Sequence, residues 1–219
     1  MRARVIDILA VLPHTQCTRC GYPDCAAYAQ AIALGTAGIN QCPPGGSQGV
    51  ERLSSITGLP VTTLNPVHGA QGPRSLAVID EDWCIGCTLC IKACPTDAII
   101  GSNKLMHTVI EVYCTGCELC LPVCPVDCIA LENASGSKTG WDAWSQPQAE
   151  LARNRYILHS NRTSYHKGQS HIRLEEKTQS KPADLGHHSL DADAVVLDKK
   201  RAVIDAALKR ARARNTGQT

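Results

Sequence analysis

Apolar positions along this chain come in short bursts, and their spacing changes character twice. Residues 5–12, VIDILAVL, predict a short helix stopped by Pro13, which brings Cys17 to its site. AAYAQAIALG is Ala-rich and predicts a second helix ending at Gly35. GVERLSSIT, residues 49–57, predicts a third, with Gly58 and Pro60 as stop signals. From Thr62 to Arg74, Pro66, Gly69, Gly72 and Pro73 punctuate a stretch with little apolar periodicity, which reads as a linker. Alternation then takes over: Leu76 to Ile79 and Thr108 to Val112 predict strands, and Ile129 to Leu131 a closing strand. After Glu132, NASGSKTG reads as a loop, followed by a helix from about Pro147 to Leu158 with its apolar side on the preceding module. Ser160 to Leu190 is polar and offers few apolar residues to offset the entropy of folding, so no regular order is expected there. Residues 192–214 return to a helical pattern in which Val196, Val203, Ala207 and Ala211 share a face and Lys199, Lys200, Arg210 and Arg214 lie elsewhere.

Cysteine changes the picture most. CIGCTLCIKACP and CTGCELCLPVCP follow the two strands, each a C-x2-C-x2-C-x3-C-P run of the two-cluster bacterial ferredoxin type, and eight soft thiolates at that spacing suit two [4Fe-4S] cubanes. Cys84, Cys87 and Cys90 then hold one cluster and Cys114, Cys117 and Cys120 another. By the rule for this motif the fourth ligands cross over, Cys94 to the second cluster and Cys124 to the first. The runs repeat with a period of 30, which also aligns Trp83 with Tyr113, Gly86 with Gly116, Pro95 with Pro125 and Asp97 with Asp127. The glycines are expected to let backbone amides approach cluster sulfurs, and the prolines to turn the chain out of each loop. Zinc ribbons also use paired C-x2-C, but four cysteines in eleven residues, closed by proline and repeated, disfavour that reading.

A different group stands upstream. Cys17, Cys20 and Cys25 in CTRCGYPDC are followed by Cys42 in NQCPPGG, with the Ala-rich helix between to fold the last ligand back. Four thiolates again suggest [4Fe-4S], with structural zinc as the competing reading.

Composition narrows the class. The 219 residues contain no Phe and only 4% aromatics, so a large conventional core is not expected and metal clusters supply much of the cohesion. Thirteen cysteines cannot all pair within one chain, and no export signal stands out, which argues against a disulfide scaffold and for a reducing, cytoplasmic setting. No stretch approaches a membrane span. Charge is segregated: residues 1–75 carry five Lys/Arg against three Asp/Glu, 76–132 two against eight, and 133–219 fifteen against nine. Redox partners are therefore expected to present Lys or Arg to the central module, unless the basic tail covers it.

The expected fold class is α+β: a small helical one-cluster domain over 1–61, a linker over 62–74, a two-cluster ferredoxin-like domain over 75–132, and a polar basic tail over 133–219, partly disordered and partly helical. In this order, CTRCGYPDC, NQCPPGG, the linker and the two cysteine runs resemble the B subunit of bacterial Rnf/Rsx electron-transport complexes over residues 1 to about 132. The resemblance implies a carrier with three [4Fe-4S] clusters that passes electrons into a membrane complex linked to ion translocation or, in the Rsx case, to reduction of a redox-sensing transcription factor. It implies Cys17, Cys20, Cys25 and Cys42 as ligands of the first cluster and the eight motif cysteines as ligands of the other two. That family begins with a hydrophobic anchor helix, whereas only sixteen residues precede Cys17 here. The expectation is thus a soluble relative, or one that docks peripherally on the cytoplasmic face of the inner membrane through protein contacts.

The remaining chemistry is sparse. Cys128 has Ala98 as its repeat counterpart and reads as a small buried side chain rather than a ligand or reactive thiol. His159, His166, His171 and His187-His188 read as solvated, and His107 as a surface or edge residue. Tyr22, Trp83 and Tyr113 sit beside ligand loops and read either as shields over clusters or as the few core aromatics. With no nucleophile or acid-base pair in evidence, the expected mechanism is outer-sphere electron relay between a redox donor and acceptor. A soluble ferredoxin-type donor, or a nucleic-acid-associated protein acting through the basic terminal helix, are the other readings.

Overall fold

The computed structural model describes residues 3–183 and 194–216. Its contacts fall into two compact units, Met1–Ser160 and Asn161–Thr219. Within the first, two separate apolar cores form, one around each kind of cysteine group.

Helix α1 (Val5–Ala10), α2 (Cys25–Leu34) and α3 (Gly46–Thr57) surround the first core. Asp24 caps α2, its carboxylate accepting from the Ala27 amide at 2.7 Å, and Gly35 ends it in the left-handed region at φ 78°. Helix α1 is shorter than the sequence suggests, yet Leu12 is still fully buried with Ile8, Tyr28, Val50 and Leu53. Helix α3 begins earlier than expected because a tight turn at Pro43–Gly45 feeds directly into it. Tyr28 is the largest buried side chain; its hydroxyl donates to the Gly38 carbonyl at 2.8 Å and accepts from the Gln41 amide at 3.1 Å. A buried phenol is thereby satisfied on both sides.

The second core lies between two small antiparallel sheets and the ligand loops. Strand β1 (Ser75–Ile79) pairs with β4 (Ile129–Asn133), placing Ala77 opposite Leu131 and Ile79 opposite Ile129. Strand β2 (Ile99–Ile100) pairs with β3 (Thr108–Val109). The sequence pattern missed β2 and overran β3, which gives way to a single turn at Glu111–Tyr113. Helix α4 (Leu89–Ala93) carries Cys90 inward.

Helix α5 (Gln146–Ala183) is far longer than 147–158 and occupies much of the stretch where no order was expected. Its Arg, Lys, Gln, Glu and Ala residues are good helix formers, so polarity alone does not forbid a helix. Up to Ser160 it belongs to the first unit, where Ala149 and Ala152 are buried. In the second unit, α6 (Ala194–Thr216) leaves Val196 half-buried and Val203 exposed. The side chains of Ala207 and Ala211, and His187 and His188 altogether, lie outside the described residues. No helix among the described residues is long and apolar enough to cross a membrane.

Candidate metal centres

The repeat is written into the backbone. Gly86 and Gly116 have φ of 66° and 64°, Thr88 and Glu118 63° and 65°, and Asp97 and Asp127 both 51°. Two identical left-handed kinks per run wind the cysteines around a common point. The glycines serve a purpose other than admitting amides to sulfur. A Cβ on Gly86 would lie 2.5 Å from both the nitrogen and the carbonyl oxygen of Leu105, and one on Gly116 would lie 2.3 Å from the Ser75 oxygen. Ser75 and Leu105 are themselves thirty residues apart, so each loop presses bare backbone against the segment leading into the other run.

Cys94, Cys114, Cys117 and Cys120 line one cavity together with Ala77, Ala98 and other residues. The thiol of Cys94 thus joins the three cysteines of the other run. Cys84, Cys87 and Cys90 feel one another's charge, and the Cys128 thiol, 3.5 Å from Cys124 Sγ, feels both Cys124 and Cys84. Amides point at sulfur symmetrically: Ala77 N donates to Cys114 Sγ at 3.5 Å and His107 N to Cys84 Sγ at 3.4 Å, while Ala98 N donates to Cys94 Sγ at 3.2 Å. Upstream, Cys17, Cys20, Cys25 and Cys42 line a single cavity under Pro43 and Tyr28, and Gln16 fixes the loop by accepting from the Cys25 amide at 2.9 Å.

Burial first, then neighbouring thiolates, pushes these thiols up: Cys25 to about 12, Cys117 to about 11, Cys120 to about 12, and Cys42 well above its ordinary value. Four buried thiols in each of two shared cavities release their protons together only to a cationic centre, since metal binding and thiol deprotonation are coupled. The donor sets therefore fit thiolate-ligated iron. Among the described residues, no three His, Cys, Asp or Glu side chains converge as tightly as a single metal ion requires.

The upstream site abuts the Cys114 half-site. Thr115 Oγ1 donates to the Thr15 carbonyl at 2.9 Å, and Arg19 pairs with Glu118. Burial works against the Arg19 charge, but Glu118, Cys17 and Cys117 hold its pKa above the ordinary value. Helix α5 straps both cores. Arg155 donates to the carbonyls of Thr96 at 2.8 Å and Asp97 at 2.9 Å and lies over the Tyr113 ring at 3.9 Å. The Tyr156 hydroxyl donates to Asp24 Oδ2 at 3.0 Å.

Several sequence expectations are corrected here. His107 is 1% exposed, not at the surface, because its ring packs beneath Gly101 beside Cys90. His159 is half-buried against Asp97 at 2.7 Å rather than solvated, because α5 carries it onto the loop after Cys94. Trp83 is 68% exposed and shields nothing, since it precedes the ligand loop on its solvent side. Tyr22 packs on Tyr28 with ring centroids 5.6 Å apart, and Tyr113 lies beneath Arg155. Arg155 and Tyr156 carried no sequence signal, because their partners lie fifty-eight to 132 positions away.

Comparison with known proteins agrees with the geometry. The family described as "4Fe-4S dicluster domain" matches residues 77–131, and that described as "Putative Fe-S cluster" matches 12–44. The B subunit of an ion-translocating oxidoreductase complex from Azoarcus sp. (strain BH72) is 54% identical over 147 residues, 67% of this chain and 80% of that one. The corresponding B subunit of Thiobacillus denitrificans is 57% identical over 101 residues, 46% of this chain and 54% of its own length. That of Vibrio cholerae serotype O1 is 52% identical over 108 residues, 49% and 54% of the two chains, so the chain spans about half the length of these two relatives. With both cysteine groups matched and the Azoarcus relative covered over most of its length, the chain belongs to the family of B subunits of ion-translocating oxidoreductase complexes.

Proposed function

We propose that this protein carries three [4Fe-4S] clusters, held by Cys17, Cys20, Cys25 and Cys42, by Cys84, Cys87, Cys90 and Cys124, and by Cys114, Cys117, Cys120 and Cys94. The chain is an electron-transfer iron-sulfur protein. The clusters supply one-electron exchange without bond making. The residues do the rest: two apolar cores exclude water, backbone amides donate to ligand sulfur, and Arg19, Glu118, Thr15 and Thr115 hold the upstream site against the Cys114 half-site. That junction supports the order Cys17 site, Cys114 half-site, Cys84 half-site. Residues 1–61 form the one-cluster domain and 75–132 the two-cluster domain, joined by 62–74, with the tail bracing both.

The observation carrying this reading is that Cys94 shares a cavity with Cys114, Cys117 and Cys120, which is the crossover that two cubanes in tandem demand. The relatives' name supports docking on an ion-translocating membrane complex, peripherally on its cytoplasmic face. Exposed Ile85, Leu105 and Met106 beside the Cys84 loop, within an acidic module, suit a partner with an apolar contact ringed by Lys or Arg. Anaerobic reconstitution with iron and sulfide counting and electron paramagnetic resonance tests the cluster assignment. About twelve irons per chain supports it; about eight leaves the Cys17 group to zinc or nothing.

A further inference from the structure

The thirty-residue repeat is broken at two places that face metal ligands, and both breaks favour the same half-site. Position 77 is Ala and its counterpart 107 is His; position 98 is Ala and its counterpart 128 is Cys. Ala77 and Ala98 line the cavity of Cys94, Cys114, Cys117 and Cys120 with methyl groups. Their counterparts bring polar atoms to the other set: His107 Nδ1 lies 3.3 Å from Cys90 Sγ, and Cys128 Sγ lies 3.5 Å from Cys124 Sγ.

The His107 ring is built in. It is fully buried, and Gly101, at φ 150°, makes room for it, since a Cβ there would lie 2.3 Å from His107 Cδ2. Its Nε2 is buried without a partner, which leaves Nδ1 as the ring's polar contact. A neutral imidazole so placed keeps its proton on Nδ1, because a buried N–H without an acceptor costs more than a bare lone pair. A metal-bound thiolate has no proton to give, so His107 is the donor and Cys90 the acceptor. The same holds for the Cys128 thiol toward Cys124. Two hydroxyls near the other set do not restore the balance. Thr96 donates to the Tyr113 carbonyl at 2.8 Å and Thr115 to the Thr15 carbonyl at 2.9 Å, which commits both protons to backbone.

Resting on the ligand sets proposed above, we propose that His107 and Cys128 are positioning residues that set the two ferredoxin-type centres apart in reduction potential, the one held by Cys84, Cys87, Cys90 and Cys124 being the more easily reduced. Hydrogen bonds to ligand sulfur stabilise the form with one more negative charge, and so raise the potential. Given the order of sites, the electron comes to rest at the end of the row away from Cys17.

The test is an anaerobic redox titration of the full, reconstituted chain, followed by electron paramagnetic resonance, comparing wild type with H107A, H107N and C128A. Ala77 and Ala98 show that alanine fits the equivalent positions. Loss of one hydrogen bond to a charged sulfur shifts the reduced-to-oxidised ratio by about tenfold at fixed ambient potential, or about 59 mV for a one-electron couple. H107A is expected to lower one wave by that amount and leave the others in place. H107N, whose side-chain amide keeps an N–H near the Nδ1 position, restores most of the shift, and C128A lowers the same wave. Unchanged potentials in H107A with full iron content overturn the proposal, as does a C128A shift in a different wave. If H107A does not retain its iron, C128A decides alone, and an unmoved wave there is equally fatal. Wild-type protein with fewer than about eight irons instead overturns the underlying ligand assignment, an outcome visible before any titration.

Discussion

Replacing Gly116 with alanine isolates the contact that lets two ligand loops share one small module. The new Cβ would sit 2.3 Å from the Ser75 oxygen and 3.2 Å from its carbonyl carbon, both backbone atoms at the start of β1. No side chain can swing away, so either the loop or the strand must move. Two costs add. A non-glycine residue in the left-handed region costs about 1–2 kcal/mol, and overpacking against backbone about 1–3 kcal/mol more. Gly136→Ala is the matched control, since Gly136 also has positive φ, at 61°, but nothing lies within 4 Å of a Cβ built there. The difference between the variants is then the steric part, about 1–3 kcal/mol, or roughly ten- to a hundredfold in a rate governed by opening of the module. The assay is the bleaching of visible iron-sulfur absorbance in anaerobic guanidinium. G116A should bleach faster than G136A by that factor, and G86A, which meets Leu105 backbone at 2.5 Å, should behave like G116A. Equal rates for G116A and G136A would refute the claim that the loops are fitted backbone to backbone.

Three further outcomes follow from contacts elsewhere. R155A removes two hydrogen bonds to carbonyls and the cover over Tyr113, and should destabilise the loop after Cys94 by about 2–3 kcal/mol; R155K should recover only part of this, because a lysine cannot fork between the Thr96 and Asp97 carbonyls. His14 is held down to about 4 by burial first and Arg153 second. Above pH 6.5 it is neutral whether folded or unfolded and contributes nothing; between pH 6.5 and 4 only the unfolded chain takes the proton, and stability falls by on the order of 3 kcal/mol. H14Q should flatten that part of the acid limb relative to wild type in chemical unfolding at a series of pH values. Finally, C25A and C117A should each lower iron content by about four atoms per chain, while C128A should lower it by none, as read by colorimetric iron and sulfide counts.

What the residues alone disclose here is largely what is periodic. The helix over α2 is legible because Ala-rich sequence, an Asp cap and Gly35 agree, and the half-sites because kinks and cysteines recur thirty residues apart. What escapes is whatever depends on residues meeting from afar. His107 looks like any polar residue before a strand until the backbone of Gly101 is seen to vacate the space for its ring. Helix α5 carries no strong apolar stripe, and its first turns are held instead by Arg155, Tyr156 and His159 reaching carbonyls and carboxylates on the two cores. Strand β2, two residues long, falls below the length at which alternation can be read at all.

The pairing of β1 with β4 has a consequence for how such modules come to be combined. Ser75 stands opposite Asn133, and the ladder runs on through the Ala134 amide, which donates to the Arg74 carbonyl at 2.9 Å. The polypeptide therefore enters and leaves this part of the molecule through one doorway. A segment whose two ends meet can be spliced into a longer chain, or have new sequence grown on either side, without stretching anything inside it. On that footing the helical appendages before and after it are free to diverge in length and composition while the electron-carrying interior stays as it is.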